Sequence, residues 1–269
     1  VILVTTKRGE EGLRITYNNR FGVQSLTDKP EYVDGGEYMR YYNIARENEG
    51  ADPMYSQERI ENWEANYKSD PDHYPNTDWV EAVFSEPGFR QEHDLSLSGG
   101  TDTIKYYGSL RYQEQNGNIP NHKFKNYSLR LNSDINFSDG FSMSIDINGR
   151  ISEQDEPSAG NFQLERGAFR IPPIYADVYS DGSWGPGWPG TGNPVAYAKA
   201  GGLEENTDYY LKGILEANYQ PLRGLELSFK YSPELSLGWS DEFERQYNVY
   251  DIDTKQLLYQ FPRVNSKNI

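Results

Sequence analysis

The 269-residue chain is acidic, with 41 Asp and Glu against 26 Lys and Arg and a formal net charge of −15, and it contains no cysteine. This balance argues against a nucleic-acid interface, which needs clustered Lys and Arg, and the lack of cysteine excludes a disulfide framework or a Cys-ligated metal. The 22 Tyr, 11 Phe and 5 Trp, together with frequent Gly, Asn, Asp and Ser, predict an all-β fold with many turns.

No apolar run reaches the roughly 18 residues that a transmembrane helix requires. The amino terminus also lacks the basic, apolar and small-residue order of a signal peptide. The chain is therefore either soluble or crosses a membrane as a β-barrel, whose strands need only alternate. Because the sequence opens at Val1 without a Met, we expect a further portion upstream.

The first predicted strand runs from Leu13 to Gln24, with apolar residues at alternate positions. A long segment from Ser25 to Gln91 follows it. Within this segment the spacing of aromatic and aliphatic residues between Asp34 and Lys68 predicts short helices. We expect these helices to brace the mouth of the fold.

The next strands are predicted at 93–98 and 104–113, and a long hairpin follows. Apolar residues alternate from Tyr127 to Phe137 and again from Phe141 to Ile151, on either side of the turn at 138–140. Two more strands are predicted at 207–219 and 225–231. Several of these runs reach about ten residues, which is close to what a tilted strand needs to cross a bilayer.

Short and long connections alternate along the chain. Short turns fall at 99–103, 138–140 and 220–224, whereas the segments at 25–91, 114–123 and 152–206 are long. Successive antiparallel strands place alternate connections at opposite ends, so all long loops would lie at one rim. This arrangement is typical of outer-membrane barrels, with short periplasmic turns and long extracellular loops. A soluble carbohydrate-binding β-sandwich stays open as the alternative fold.

Several motifs carry a resemblance to a known family. The opening Val1 to Gly9 resembles the end of the plug domain in SusC/RagA-type TonB-dependent transporters. Further segments match this family in the same order, densely to about Arg150 and more loosely beyond: Tyr74 to Trp79 followed by Phe84, His93 to Thr101, Lys105 to Tyr107, Glu114 to Gly117, and Tyr127 to Asn132.

The resemblance implies a fold, an activity and partners. Residues 1–9 would be the carboxyl-terminal end of the plug domain, and residues 10–269 the first part, about a third, of a transmembrane antiparallel β-barrel with long extracellular loops containing short helices. A complete member would have 22 strands around the plug. It would import glycans or peptides with energy delivered by the TonB complex, which contacts a plug region absent from this chain, and a SusD-like surface lipoprotein would form its lid.

Catalysis has no supporting motif. The acidic cluster at Glu153, Asp155 and Glu156 suits a solvated strand end better than a glycosidase pair. The three histidines, His73, His93 and His122, lack the spacing of a zinc site or a nucleophile triad, and the paired aspartates around 177–181 and 251–253 lack that of an EF-hand. We therefore predict no enzymatic activity, no metal and no cofactor.

Candidate ligand-binding residues lie in the long segment after Ser152. Aromatic rings among Gly and Pro would suit stacking on sugars, and neighbouring polar groups would bond to hydroxyls; the candidates are Tyr175, Asp177, Tyr179, Trp184, Trp188 and Asn193. The alternative for these residues is packing of the loop against the barrel or the lid. Other aromatics are expected to form girdles at the membrane interfaces: Tyr17, Phe21, Tyr106, Tyr112, Tyr219, Phe229 and Tyr231.

The leading hypothesis from the sequence is an importer of a nutrient, above all an oligosaccharide, in the outer membrane as a multi-pass β-barrel. A peptide importer of the same architecture is the nearest alternative, because the sequence does not separate sugar from peptide cargo. A soluble β-sandwich and a glycan hydrolase are more distant alternatives.

Overall fold

One antiparallel sheet dominates the computed structural model, which describes residues 7–188 and 192–261. Its strands are β1 (Arg14–Gln24), β2 (Gly88–Gly100), β3 (Ile104–Asn116), β4 (Lys123–Ser138), β5 (Phe141–Pro157), β6 (Gly202–Leu222), β7 (Leu225–Tyr231) and β8 (Glu234–Glu244). Consecutive strands pair from β1 through β7, and β8 also pairs with β6. A separate hairpin consists of β9 (Tyr247–Tyr250) and β10 (Leu257–Phe261).

Strands β7 and β8 together behave as one long strand beside β6. Both pair with β6 in the same register, β7 along its second half and β8 along its first half. Pro233 interrupts the ladder because proline has no N–H to donate, although its carbonyl still accepts a hydrogen bond of 3.0 Å from the Gly213 amide. The described sheet thus has seven long strands, and β1 and β7/β8 form its two edges.

The predicted strands are confirmed, and most of them are longer than their apolar alternation indicates. β2 begins at Gly88 and β6 at Gly202, because both strands continue into polar positions beyond the apolar band. The alternation predicts a strand only up to Tyr231, whereas the structure continues it through β8. The connection between β3 and β4, predicted to be long, covers only 117–122, because β3 extends to Asn116.

Five helices lie in the long connections: α1 (Gly35–Asn48), α2 (Gln57–Asn66), α3 (Trp79–Val83), α4 (Asn161–Arg170) and α5 (Pro194–Ala200). The helices predicted between Asp34 and Lys68 are α1 and α2. Asp34 begins α1 with a capping box, in which its side chain accepts from the Glu37 amide and the Glu37 side chain returns to the Asp34 amide. None of the described helices is long and apolar enough to cross a membrane.

The packed hydrophobic core lies among the loops. One cluster joins α3, α4 and α5 around Trp79, Val83 and Leu164, and a second joins α1 and α2 around Met39 and Trp63. Many apolar residues of β1 to β8 are exposed instead, whereas Tyr247 and Val249 of β9 are buried in a third cluster with Ala196 of α5. In the part of the chain that the structure describes, β1 to β8 share one sheet and no second sheet covers it, so the β-sandwich alternative does not describe this fold.

Candidate functional site

The outward face of the sheet is a continuous apolar surface. Strand register aligns apolar side chains in rows across the sheet; the central row holds Tyr17, Leu95, Leu110, Leu129, Gly149, Leu211 and Leu235. These side chains are well exposed, Leu110 to 55%. A soluble antiparallel sheet packs its apolar face on a core, whereas this face has no protein cover within the described residues.

Aromatic rings and charged groups limit this apolar surface on the central strands. Towards the long loops, Tyr112 and Tyr127 pack with ring centroids 5.1 Å apart, and the next row holds Glu114, Lys125 and Glu153. Towards the short turns, Phe137 stacks on Phe141 at 5.1 Å, and Phe141 meets Tyr219 edge-on at 6.1 Å.

The height of the apolar surface matches a membrane. The run from Phe141 to Ile151 corresponds to about 34 Å along the strand, or about 25 Å across a bilayer at a tilt of about 40°. All seven aromatics expected to form girdles lie on this face. Tyr17 lies in the central row, and Tyr106 and Tyr231 share a row with Ile145 and Leu215. These three therefore lie within the apolar surface and not at its border, as a girdle would require.

The opposite face of the same strands is polar and rich in ion pairs. Glu92, only 2% exposed, accepts from Arg111 and lies 3.4 Å from Arg90 and 4.0 Å from Arg20. Arg111 also pairs with Asp94 at 3.1 Å. Alternation predicts which residues share this face, but not which of them pair, since pairing depends on the register between strands. A face of this kind suits a water-filled lumen.

The segment before β1 crosses the polar face and is fixed to it. The Arg8 guanidinium donates two hydrogen bonds to Asp146, at 2.5 and 2.8 Å, and lies 3.2 Å from Asp134. The Asn132 amide donates to the Lys7 carbonyl at 2.7 Å. Gly9 lies so close to β3 that a β-carbon there would be 2.4 Å from the Tyr106 amide nitrogen.

This geometry bears on the expected boundary between plug and wall. Lys7 to Gly9 lie against the polar face of the wall. Residues 1–6, the rest of that segment, lie outside the described residues. The division into residues 1–9 and 10–269 remains a prediction.

The candidate ligand residues lie together in one loop, but they differ in exposure. Trp188 is 39% exposed, whereas Tyr175, Asp177 and Trp184 are half-buried. Tyr179 is buried, and burial raises the pKa of its phenol to about 12, so the hydroxyl stays protonated. Exposure therefore favours Trp188 as the member of the set best placed to meet a ligand.

Asn193 is buried and holds the loop together. Its side-chain oxygen accepts from the amides of Val195 and Ala196, at 3.0 and 3.1 Å, and caps α5. Its amide donates to the carbonyls of Asp177 and Gly185 at 2.5 and 3.0 Å. Loop packing accounts for these contacts, and a ligand-binding role for the six-residue set remains a prediction.

Tyr247, which sequence reasoning missed, connects this loop to the β9–β10 hairpin. Its ring meets Tyr197 and Trp184 edge-on, with centroids 5.8 and 6.4 Å apart, and its hydroxyl bonds to the Asn193 backbone. No local signal in the sequence marks this role, because the partners are about fifty residues away.

Ionic contacts tie three loops together at the same rim. His73 bonds to Asp70 at 2.7 Å and to Asp253, beside the β9–β10 turn, at 2.9 Å. Lys255 reaches Asp181 at 2.7 Å. The hydrogen bond to Asp70 is the main cause of a raised pKa at His73, and the bond to Asp253 adds to it. Within residues 7–188 and 192–261, no group of three side chains is arranged to hold a metal.

Curated relatives are TonB-dependent receptors. The chain is 25% identical over 246 residues to TonB-dependent receptor P3 of Formosa agariphila, covering 87% of this chain and 22% of that protein. TonB-dependent receptor P26 of the same organism is 24% identical over 254 residues, 90% of this chain and 24% of the relative. TonB-dependent receptor SusC of Bacteroides thetaiotaomicron is 23% identical over 213 residues, which cover 72% of this chain and 19% of that protein. The chain thus spans less than a quarter of the length of these relatives.

Solved structures give the same fold. The RagAB peptide importer in its closed-closed state superposes with a TM-score of 0.62 at 20% identity, covering 87% of this chain and 29% of that chain. A second structure of the RagAB peptide transporter gives a TM-score of 0.63. No family model matches the sequence.

These matches confirm the resemblance to SusC/RagA-type TonB-dependent receptors and the fold class, with the open sheet as part of a barrel wall. The relatives are receptors and importers rather than enzymes, which agrees with the prediction of no enzymatic activity.

Proposed function

We propose that the chain forms the first part of the wall of an outer-membrane β-barrel that imports a nutrient, with energy delivered through TonB. The observation that supports this most is the two-faced sheet, which has an exposed apolar surface of membrane height on one side and an ion-paired polar surface on the other. Residues 10–269 would supply the wall and its extracellular loops, and residues 1–9 would end the plug.

Membrane insertion explains the exposed leucines of the wall, and it requires that the sheet be completed by further strands. Exposed leucines such as Leu110 and Leu129 would contact lipid, where a polar side chain is costly. Among the described strands, the edges at β1 and β7/β8 have no further strand to pair with, and lipid does not tolerate the unpaired backbone groups of such an edge. In a complete barrel both edges would pair with further strands, so the wall described here needs the rest of its barrel.

The loop rim would carry the partner. Exposed apolar side chains project from α1, the segment after it, and α4, including Tyr41, Ile44, Met54, Phe162 and Phe169. Exposed apolar side chains at the mouth suit contact with a SusD-like lipoprotein lid. The network of His73, Asp253 and Lys255 would hold the loops in position for it.

The cargo in the leading proposal is an oligosaccharide. The exposed Trp188, which shares its loop with the half-buried Tyr175 and Trp184, offers apolar ring surface of the kind that stacks on sugar rings. A peptide is the second candidate, and the likeness to the RagAB peptide importer favours it.

Uptake by cells tests the proposal. Cells carrying the complete gene should accumulate labelled oligosaccharide or peptide, and the protein should fractionate with the outer membrane. Deleting the gene, or TonB, should abolish accumulation, whereas uptake that persists without TonB would reject the mechanism. Offering sugar and peptide separately decides between the two cargoes.

A further inference from the structure

The polar face contains a cavity of about 540 Å³ with an excess of positive charge. Its lining includes Arg111, Arg130, Arg150 and Lys7, and one acidic residue, Asp94. This balance is the reverse of that of the whole chain, whose net charge is −15. The volume lies within the range of small-molecule sites, about 300–1,000 Å³.

The register places three arginines around one serine. Arg111 and Arg150 lie on either side of Ser128 in one row, and Arg130 lies two residues further along β4, opposite Asn148. Diagonal neighbours of this kind are about 7–8 Å apart between α-carbons. Like charges at this spacing repel one another, so the cluster favours an anion between them.

Two of these guanidiniums have no carboxylate partner. Arg111 pairs with Glu92 and Asp94, but Arg130 and Arg150 make no ion pair within residues 7–188 and 192–261. Arg150 lies over the ring of Tyr210, with its guanidinium carbon 5.7 Å from the ring centroid, which leaves the edge of the guanidinium able to donate. A guanidinium presents parallel donors that match carboxylate and sulfate oxygens.

The part of the plug side that the structure describes does not supply the missing anion. The carbonyl of Lys7 is fixed by Asn132, and Lys7 lines the cavity as a further cationic residue. Arg8 is already paired with Asp146 and Asp134. The segment that crosses this face therefore increases the positive charge near Arg130 and Arg150 instead of neutralising it.

We propose that Arg130 and Arg150 form an anion-binding site in the lumen and that they select cargo bearing carboxylate or sulfate groups. Tyr107 and Tyr210 would flank the bound group, and the hydroxyls of Ser109 and Ser128 would complete its hydrogen bonds. This inference rests on the proposed import function and narrows its cargo to an anionic oligomer, either an acidic sugar or an acidic peptide.

Binding to the complete transporter tests the site. The probes are trigalacturonate with maltotriose as its neutral counterpart, and a Glu-containing peptide with its Gln counterpart. We expect the wild type to bind at least one anionic probe about tenfold or more tightly than its neutral counterpart, with a preference that weakens in salt. The double variant R130Q/R150Q should lose the preference. R14Q, which removes a cation on the same face outside the cavity, should keep it.

The remaining outcomes decide against the site or call for a second variant. A wild type without charge preference, or a double variant that retains it, would overturn the inference. So would a double variant with unchanged selectivity whose upstream region becomes sensitive to protease, because the arginines would then be holding the plug. If R130Q/R150Q fails to assemble in the membrane, R130K/R150K keeps the charge and loses the planar fork, and it should show a several-fold weaker preference.

Transport separates this inference from the proposed function. TonB-dependent uptake without charge selection would defeat the anion site and leave the importer standing. Absence of TonB-dependent uptake for every probe would defeat the importer itself.

Discussion

A charge placed on the outward face should destabilise the protein in lipid, and this tests the orientation of the wall. Leu110 lies on β3 in the central row, between Gly108 and Tyr112 on the same face, and its side chain is 55% exposed. In a water-soluble protein, replacing such an exposed residue usually changes stability by less than about 0.5 kcal/mol. At the midplane of a bilayer, an outward-facing arginine costs about 2–4 kcal/mol.

The structure provides matched controls on the same strand. Gln113 lies on the polar face, so Gln113→Arg should cost less than about 1 kcal/mol. Tyr112→Arg lies on the outward face, next to the row that already holds Glu114 and Lys125, and should cost about 0–1 kcal/mol because the penalty falls towards the interface. The expected order of destabilisation is Leu110→Arg first, then Tyr112→Arg and Gln113→Arg.

Reversible denaturation of the complete barrel in phospholipid vesicles measures these differences. The variants should be compared only where the unfolding free energy falls with denaturant at the same slope as in the wild type. A difference between them then reflects the free energy of unfolding and not a change in the surface that unfolding exposes. A Leu110→Arg penalty equal to that of Gln113→Arg would refute the assignment of the two faces.

Three further predictions concern the polar face and the loops. Arg8→Gln and Asp146→Asn should show a coupling of about 1–3 kcal/mol in a double-mutant cycle. Arg8→Gln leaves the Asp146 carboxylate without its cation, and Asp146→Asn leaves Arg8 with only Asp134 as an ion-pair partner among the described residues. Independent effects on stability would contradict the contact. Asn193→Ala should cost about 1–2 kcal/mol through loss of the α5 cap, and it should accelerate hydrogen exchange in the loop that contains Asn193. Trp188→Ala should leave exchange in the same loop unchanged. Equal acceleration in both variants would contradict the role of Asn193. Because the pKa of His73 is raised, its contacts with Asp70 and Asp253 stabilise the fold fully below the ordinary pKa of 6.5 and are lost as pH rises through the raised pKa. Hydrogen exchange in the β9–β10 hairpin should therefore be slower at pH 5.5 than at pH 8.5, beyond the intrinsic effect of pH on exchange. His73→Gln should remove that difference.

The sequence predicts the wall better than the loops, for a physical reason. A strand between lipid and water must alternate along its whole length, so the runs from Tyr127 to Phe137 and from Phe141 to Ile151 identify both strand and face. Strand β8 alternates as well, through Leu235, Leu237 and Trp239, but Ser232-Pro233 at its start resembles a turn. Only pairing with β6 shows that the strand continues.

The loop residues behave differently because their surroundings come from distant parts of the chain. The spacing of apolar and aromatic residues within α1 and α2 can be recognised in the local sequence. In contrast, α4 and α5 are short and are stabilised by packing on α3. The candidate ligand set shows the same limit. Composition selects Asn193 and Trp188 alike, whereas tertiary contacts bury Asn193 completely and leave Trp188 exposed.

The separation of apolar wall and packed loops implies two nearly independent sources of stability. The wall buries little apolar surface against protein, so its stability depends on lipid and on closure of the barrel. The loops bury Met39, Trp63 and Leu164 as a soluble domain would.

Trp63→Ala, which creates a cavity in this core, should therefore lower the local stability of the loops by about 3–5 kcal/mol. It should weaken the binding of cargo or lid without preventing insertion of the barrel. Leu110→Arg should impair insertion and leave the fold of the loops unchanged. Hydrogen exchange of the loops, measured alongside heat resistance of the barrel, distinguishes the two effects, and loss of both in either variant would show that wall and loops fold as one unit.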